Sequence, residues 1–385
     1  MKKIIVLGCG RVGACIAADL AADEHLQVTV VDQRQENLEG LGDLPGFCRR
    51  QLDLHPGAVG ELVADFDAVV GALPSVLGFE VLRGVIEAGK PYCDISFMPE
   101  DFLSLDELAR QRGVPAVVDC GVAPGLANLL IGYAQAQFDT LESAIYYVGG
   151  LPRERDWPYE YKAPFAPSDV LEEYTRPVHQ RIDGKPVTKA ALSEAEPFEL
   201  EGVGTLEAFN TDGLRSLLKT IKAPTLWEKT LRYPAHAELM RIFAHTGLLD
   251  TEAVEVNGQW VRPRDLTAKL LFPLWRPVPG EREFTVLRVQ VDGQKDGRPM
   301  SLHGDLFDEG DPAGGESSMA RTTGFPCAIV TRLLLGDERP DPGVIPPERL
   351  GERPGLMDKM VNELKARGVD LRVRVEERKA DGHAK

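Results

Sequence analysis

Along the first 120 residues, short apolar runs alternate with longer stretches in which apolar positions recur every three or four residues. Lys3–Leu7 (KIIVL) is rich in β-branched residues and has no polar face, which predicts a strand buried on both sides. Arg11–Ala22 carries Val12, Ile16 and Leu20 at helical spacing. Further strands are predicted over Gln27–Val31, ending at Asp32, and over Gly46–Leu52, ending at Asp53. Asp67–Leu73, Pro91–Ile95 and Val114–Val118 continue the series, the last ending at Asp119. Leu77–Ala88 and Asp101–Arg112 read as helices between them. Apolar strands alternating with helices predict an α/β fold, a doubly wound parallel sheet joined by right-handed crossovers.

After Asn128 the pattern changes. Strand-like runs such as Ala144–Val148 and Phe284–Val291 are separated by prolines and turns, which predicts a second, α+β domain. Cys327–Leu335 has helical spacing and is expected to pack back on the first domain. Leu356–Arg367 reads as a helix and Leu371–Val375 as a strand, with a charged tail expected to fray from Glu376. The expected division is 1–122, 123–325 and 326–385.

Composition narrows the function classes. Of 385 residues, 43% are hydrophobic and 27% charged, enough for a sizeable core. The net charge is −16 with no basic run to offset it, which excludes nucleic acid and anionic membranes as partners. The N-terminus has no export signal, and the six cysteines form no CxxC pair, so reduced thiols and a cytoplasmic location are expected. The charge-free run from Gly121 to Phe138 contains Pro124, Asn128, Gln135 and Gln137, which favours a buried helix over a membrane span. No HExxH motif or Cys/His cluster suggests a metal.

The strongest chemical signal is Gly8-Cys9-Gly10-Arg11-Val12-Gly13, set between the first strand and the first helix. There Gly8 permits a tight turn, Gly10 admits a pyrophosphate against the backbone, and Gly13 lets helix and strand pack closely. The helix N-terminus, beginning at Arg11 and Val12, offers N–H groups and partial positive charge to the phosphates. Asp32 follows Gly13 by 19 residues at the end of the second strand, where a carboxylate accepts ribose hydroxyls and repels a 2′-phosphate. This is a Rossmann-type signature, and it favours NAD over NADP, with Gln33 and Arg34 beside it and Arg34 softening the preference. Asp53 is either near the adenine or a solvated loop residue.

Ligands of such sheets bind beyond the carboxyl ends of the strands. Ala72-Leu73-Pro74, Asp94, Asp119 and the second Gly-rich turn Ala123-Pro124-Gly125 all fall there. Asp94 and Asp119 are the carboxylates best placed for chemistry, with turn capping as the alternative for each.

The segments GVAPGLANLLIGY, YYVGGLP, LSEAEPFELEGVGTLEAFNTDG, KTLRYPAHAE and MARTTG resemble, in order, the saccharopine dehydrogenase (reductase) family, and within it the L-lysine 6-dehydrogenases. The resemblance implies NAD-dependent oxidative deamination of the lysine ε-amine to 2-aminoadipate 6-semialdehyde. It also implies a homodimer or larger assembly, and a catalytic domain inserted before the last part of the Rossmann domain. It further implies substrate contacts at Tyr161 and Ser168, at Asn210 and Thr211, and at Arg232 and Tyr233. Asn210 stands where the lysine enzymes resemble a His, and Asn cannot shuttle a proton. Arg232 is read either as a fork for a substrate α-carboxylate or as the partner of a structural carboxylate. His236 is read as a base or orienting group, or as a hydrogen-bonded structural histidine. Glu196 is a candidate for the substrate α-ammonium, and Arg321 for an interdomain structural role.

Removing hydride from an amine-bearing carbon needs the nitrogen lone pair, and an ε-ammonium with a pKa of about 10.4 lacks it. A proton acceptor is therefore expected among Asp94, Asp119 and His236. Two rivals stand beside this reading. One is a saccharopine- or carboxynorspermidine-type reductase that forms a secondary amine and needs extra cations, with Arg153, Arg155, Lys162 and Arg176 as candidates. The other is a non-catalytic NAD-binding regulator.

Overall fold

The structure, a computed structural model, describes residues 1–42, 47–163, 167–278, 280–311 and 315–378, without the side chains of 167 and 168. It contains two compact units, Met1–Ala136 with Ala320–Leu371, and Gln137–Met319 with Arg372–Lys385. By contact, the chain passes from the first unit to the second after Ala136. The helix Leu126–Gln137 lies almost wholly in the first unit, because it buries Leu126, Leu129, Leu130 and Ile131 there.

The first unit is built on a seven-stranded parallel sheet. In spatial order its strands are Gly343–Ile345, Pro115–Val117, Tyr92–Asp94, Ala68–Gly71, Lys2–Leu7, Leu26–Asp32 and Phe47–Gln51. Ile4, Ile5, Val6 and Leu7 are fully buried, as expected of a central strand covered on both faces. The helix Ser75–Glu87 turns Gly78, Val81, Leu82, Val85 and Ile86 inward at intervals of three and four residues. These side chains join Ile5, Leu7, Val69, Tyr92 and Val118 in one core cluster. The strand Lys2–Leu7 has Leu26–Asp32 on one side and Ala68–Gly71 on the other, so the order of connection reverses beside it. At such a switch point a crevice opens past the strand ends.

Expected and observed elements differ in a few places. The strand expected over Gly46–Leu52 runs Phe47–Gln51, with Gly46 outside the described residues, so Asp53 lies beyond its end on an exposed loop. Asp101–Arg112 divides into a 3₁₀ turn, Phe102–Leu105, and a helix, Asp106–Arg112. The strand Gly343–Ile345 has no counterpart in the sequence reading. It is three residues long within a Pro/Gly-rich stretch, and only pairing with Pro115–Val117 makes it a strand. The helix expected from Cys327 begins at Ser318. The strand Leu371–Glu377 continues past Glu376 and joins the second sheet beside Arg298–Asp308, so this part of 326–385 is not added to the Rossmann-type sheet.

The second unit centres on a nine-stranded sheet. Its middle strand, Thr140–Pro152, pairs in parallel with Thr225–Arg232 and antiparallel with Glu283–Lys295. The last of these continues antiparallel into Arg298–Asp308. Around Tyr161, Tyr174, Phe209, Met240 and Trp275 the helices and loops of this unit close a separate core. Among the described residues all six cysteines are free thiols, and no helix is long and apolar enough to cross a membrane.

Candidate active site

At the carboxyl end of Lys2–Leu7 the backbone turns through Gly8, whose φ is +100°. A Cβ at Gly8 would overlap the carbonyl oxygen of Ala72, and one at Gly13 would overlap the carbonyl oxygen of Gly8. Both positions thus admit only glycine. A Cβ at Gly10 would meet nothing within 4 Å, so this residue faces open space. Arg11 opens the following helix, which has no acidic residue in its first turn and no side-chain cap. The cradle fits a pyrophosphate: a bare turn, an open face and an uncapped helix N-terminus meet at one point.

Asp32 is fixed opposite this turn. Its Oδ2 accepts the Cys9 N–H at 2.7 Å, and its Oδ1 accepts the Arg34 N–H at 2.8 Å and the Asn37 side-chain amide at 3.1 Å. The Cys9 thiol bonds the Asn37 carbonyl, and burial pushes its pKa up to about 12. Gln33 uses its carbonyl to receive the Gln51 amide, and its side chain is exposed. Leu73 and Pro74 follow Ala72 into the N-terminus of Ser75–Glu87.

Asp94 ends its strand fully buried. Tyr92 donates to its Oδ2 at 2.6 Å and the Ser96 N–H donates to its Oδ1. Burial outweighs these bonds and pushes the carboxyl up to about 7. Gly71 is required beside it, because a Cβ there would overlap the Tyr92 hydroxyl. Asp119 is buried with φ +54°, a conformation that Asp tolerates better than most residues. The second Gly-rich turn closes on itself: the Gly121 N–H bonds the Pro124 carbonyl at 3.1 Å, and a Cβ at Gly125 would overlap Gly121. Ala123 and Pro124 are half-buried at its tip. Asn128 accepts the Gly125 N–H at 3.2 Å and donates to the buried Glu348 at 3.2 Å. Asn128 stands in the GVAPGLANLLIGY segment as a polar residue inside an apolar run, whereas Glu348 is marked by no motif.

In the second unit the substrate candidates separate into two groups. Tyr161, Arg232 and His236 lie in an aromatic box with Tyr174 and Trp275. The Arg232 guanidinium sits 4.6 Å above the Tyr161 ring, donates through Nε to the Tyr174 hydroxyl at 3.2 Å and faces Glu173 at 3.5 Å. Arg232 thus faces a carboxyl of its own chain, as in the second of its two readings. His236 has both ring nitrogens engaged, Nδ1 with the Tyr159 carbonyl and Nε2 with the Tyr174 hydroxyl, each at 2.9 Å. Burial and the nearby Arg232 push its pKa down to about 3. With both nitrogens engaged, it fits the alternative reading of a hydrogen-bonded structural histidine.

Asn210 and Thr211 form the other group. Asn210 donates to Ser193 and Glu194 and accepts from Gln180, acting as a buried tie between strands. The Thr211 hydroxyl donates to Glu228 at 2.8 Å, as does the Gly213 N–H. Glu228 is 1% exposed and pushed up to about 8 by burial; the sequence reading missed it because a glutamate in a strand carries no motif. The exposed Glu196 pairs with the buried Lys229 at 2.8 Å, and the Tyr233 hydroxyl bonds the Pro152 carbonyl. The side chain of Ser168 lies outside the described residues. Arg321 donates to the Arg367 carbonyl at 2.7 Å.

Comparison with known proteins decides the family. Residues 4–117 match the saccharopine dehydrogenase NADP binding domain and residues 121–369 the saccharopine dehydrogenase C-terminal domain. The chain belongs to the saccharopine dehydrogenase family. Within that family it is 24% identical to saccharopine dehydrogenase (NADP+, L-glutamate-forming) of Saccharomyces cerevisiae, over 94% of this chain and 97% of that one. It is 28% identical to the mitochondrial alpha-aminoadipic semialdehyde synthase of Bos taurus, over 66% of this chain but only 29% of that protein. The fold is shared with the apo saccharopine dehydrogenase (L-Glu forming) of Saccharomyces cerevisiae, at TM-score 0.77, 22% identity and coverage of 98% and 100%. It is shared more loosely with the homospermidine synthase of Legionella pneumophila, at TM-score 0.60, 10% identity and coverage of 100% and 94%.

Proposed function

We propose that this family member is an NAD-dependent dehydrogenase that oxidises the ε-amine of L-lysine to 2-aminoadipate 6-semialdehyde. The observation that carries the coenzyme is Asp32: three N–H groups hold its carboxylate beside the glycine turn, where it receives ribose hydroxyls and repels a 2′-phosphate. Gly8, Gly10, Gly13 and the N-terminus of Arg11–Ala21 hold the pyrophosphate. When bound, NAD supplies a hydride acceptor.

The rest of the chemistry falls to the protein. The amine must lose its proton before its carbon can release hydride, and among Asp94, Asp119 and His236 we assign the proton-handling role to Asp94. Its carboxyl, at about 7, exchanges a proton near neutral pH, whereas His236 at about 3 is too weak a base. Asp94 is buried and acts through the Tyr92 hydroxyl on its Oδ2, so it is a positioning residue. The lysine substrate is supported by the names of the relatives, which involve saccharopine and α-aminoadipic semialdehyde. That aldehyde is what deamination of the ε-amine yields.

The relatives named for saccharopine also favour a second reading, a secondary-amine enzyme. Such a substrate carries an extra carboxylate and needs a cation for it. The cations proposed for that task are engaged: Arg153 with Glu309, Arg155 with Glu160, Lys162 with Glu281, and Arg176 with Glu172. This favours the primary amine.

Absorbance of the reduced coenzyme provides the test. With L-lysine, NAD is expected to outperform NADP in kcat/KM by at least about tenfold, and Asp32→Ser to erase the difference. The rate is expected to rise through pH about 7 and on toward about 10 as the ammonium gives up its proton. Asp94→Asn should remove the lower limb and leave the upper one. Turnover with saccharopine and none with lysine would sink the proposal.

A further inference from the structure

Three thiols meet inside the first unit, and the chemistry proposed above uses none of them. Cys93 is the middle residue of Tyr92–Asp94, Cys120 follows Asp119, and Cys327 lies on the helix Ser318–Leu335. Cys93 and Cys327 are fully buried and Cys120 nearly so. Along a strand, neighbouring side chains point to opposite faces, so Cys93 turns away from the bonded pair Tyr92 and Asp94. The Cys327 thiol donates to the Cys93 sulfur across 3.4 Å, and Cys93, when it carries its proton, reaches the Cys327 carbonyl at 3.6 Å. Burial raises the pKa of Cys93, but hydrogen bonds to its sulfur from Cys120, Cys327 and Thr331 outweigh burial and hold it below the usual thiol range. The thiolate is the form that attacks an oxidant.

The helix that carries Cys327 can yield. Pro326 has no N–H to give to the Thr322 carbonyl, so the helical ladder lacks a rung one residue before Cys327. Cys120 is held more firmly, its own N–H bonded to the Asp94 carbonyl at 2.8 Å. The same helix lies against the coenzyme helix Arg11–Ala21. A Cβ at Gly324 would meet Ile16 at 3.2 Å and the Cys15 sulfur at 3.3 Å, and Arg332 pairs with Asp19.

We propose that Cys93 and Cys327 form a reversible oxidation site: a small peroxide closes them into a disulfide, and the closure loosens the coenzyme cradle. The Cys93 thiolate attacks one oxygen of hydrogen peroxide. The S–O bond forms, the O–O bond breaks, and the departing hydroxide takes up the proton that Cys93 had released. The Cys327 sulfur then attacks the Cys93 sulfur. The S–S bond forms, the S–O bond breaks, and the second oxygen leaves as water with the Cys327 proton. Two thiols thus lose two electrons and two protons, and one peroxide becomes two waters. Peroxide, little larger than water, reaches the pair through local openings of the fold. Sulfurs now 3.4 Å apart must approach to about 2.0 Å. That draws Ser318–Leu335 toward the strand and, through Gly324 and Arg332, shifts Arg11–Ala21, whose N-terminus faces the pyrophosphate. The oxidation rests on the thiols alone; its effect rests on the coenzyme reading.

The test treats the full chain, in a Cys48→Ser background that removes the exposed thiol, with hydrogen peroxide, then alkylates and digests it. The expected product is a peptide pair joined through Cys93 and Cys327, in a protein lighter by two hydrogens and returned to its starting mass by dithiothreitol. Titration of the reduced coenzyme by its fluorescence should show at least about fivefold weaker binding by the oxidised protein, restored by dithiothreitol and absent in Cys327→Ser. Should Cys327→Ser fail to fold, the peptide map and the dithiothreitol reversal decide. A reduced protein that binds no coenzyme counts against the coenzyme reading, and the peptide map still judges the thiols. A link through Cys120, a sulfinic acid in place of a disulfide, or thiols that stay reduced would overturn the proposal. So would a Cys93–Cys327 disulfide with unchanged coenzyme affinity, or a loss of affinity that persists in Cys327→Ser.

Discussion

At the scale of single residues, backbone approach sets the coenzyme turn. Gly13 leaves no room for a methyl group, since its Cβ would overlap the Gly8 carbonyl. Gly13→Ala must push the helix off the strand and with it the N–H groups that face the pyrophosphate. Titration of the reduced coenzyme by its fluorescence is expected to show at least about tenfold weaker binding, with the fold retained. Unchanged affinity would show that the dinucleotide binds elsewhere. These glycines and Asp32 were legible in the sequence because their spacing reports a local mechanism. The partners of Asp32 were not, since the Cys9 N–H and the Asn37 amide reach it only after the strand and turn are folded. Arg232 and His236 show the reverse case. Both were visible as chemical types, yet Glu173 and Tyr174 decide what they do.

At the scale of elements, the helix Ser75–Glu87 shows why the parallel sheet was readable. Its apolar positions follow the helical period, and the strands beneath it are continuously apolar. Leu82 is fully buried in that interface. Leu82→Ala is expected to lower unfolding free energy by about 2–5 kcal/mol, through lost burial and the cavity left behind. Urea unfolding measures it, and a loss below about 1 kcal/mol would mean the helix is not packed as described. Short elements behaved differently. Gly343–Ile345 is a strand through its neighbour alone, and Leu371–Glu377 reads as a strand locally, although nothing local assigns it to one sheet or the other.

At the scale of the whole molecule, buried carboxyls link stability to pH. Asp94 and Glu173 are pushed to about 7 and Glu228 to about 8, chiefly by burial. For an acid whose folded pKa is raised, the unfolded chain ionises first as pH rises. Stability is therefore lost from the unfolded value, near 4, up to the folded one, and levels off above it. His236 acts in the opposite sense: held near 3 when folded, it costs stability as pH falls below about 6.5. Glu228→Gln isolates one contribution, because the amide oxygen can still accept from Thr211 and Gly213. Relative to wild type, the variant is expected to gain stability steadily from pH about 4 to about 8, by a few kcal/mol at most. A difference that does not vary with pH would mean Glu228 ionises as it does in water.

By itself, the sequence determined what depends on period and spacing: the alternating strands and helices, the glycine turn, the aspartate that follows it, and the family. These properties are set by neighbours a few residues apart, so they survive without knowledge of the fold. Tertiary structure decided the rest. It buried Glu228, held His236 neutral and gave Arg232 an internal counter-ion. Each of these depends on which distant residues exclude solvent from a given atom, and solvent exclusion is a property of the folded whole.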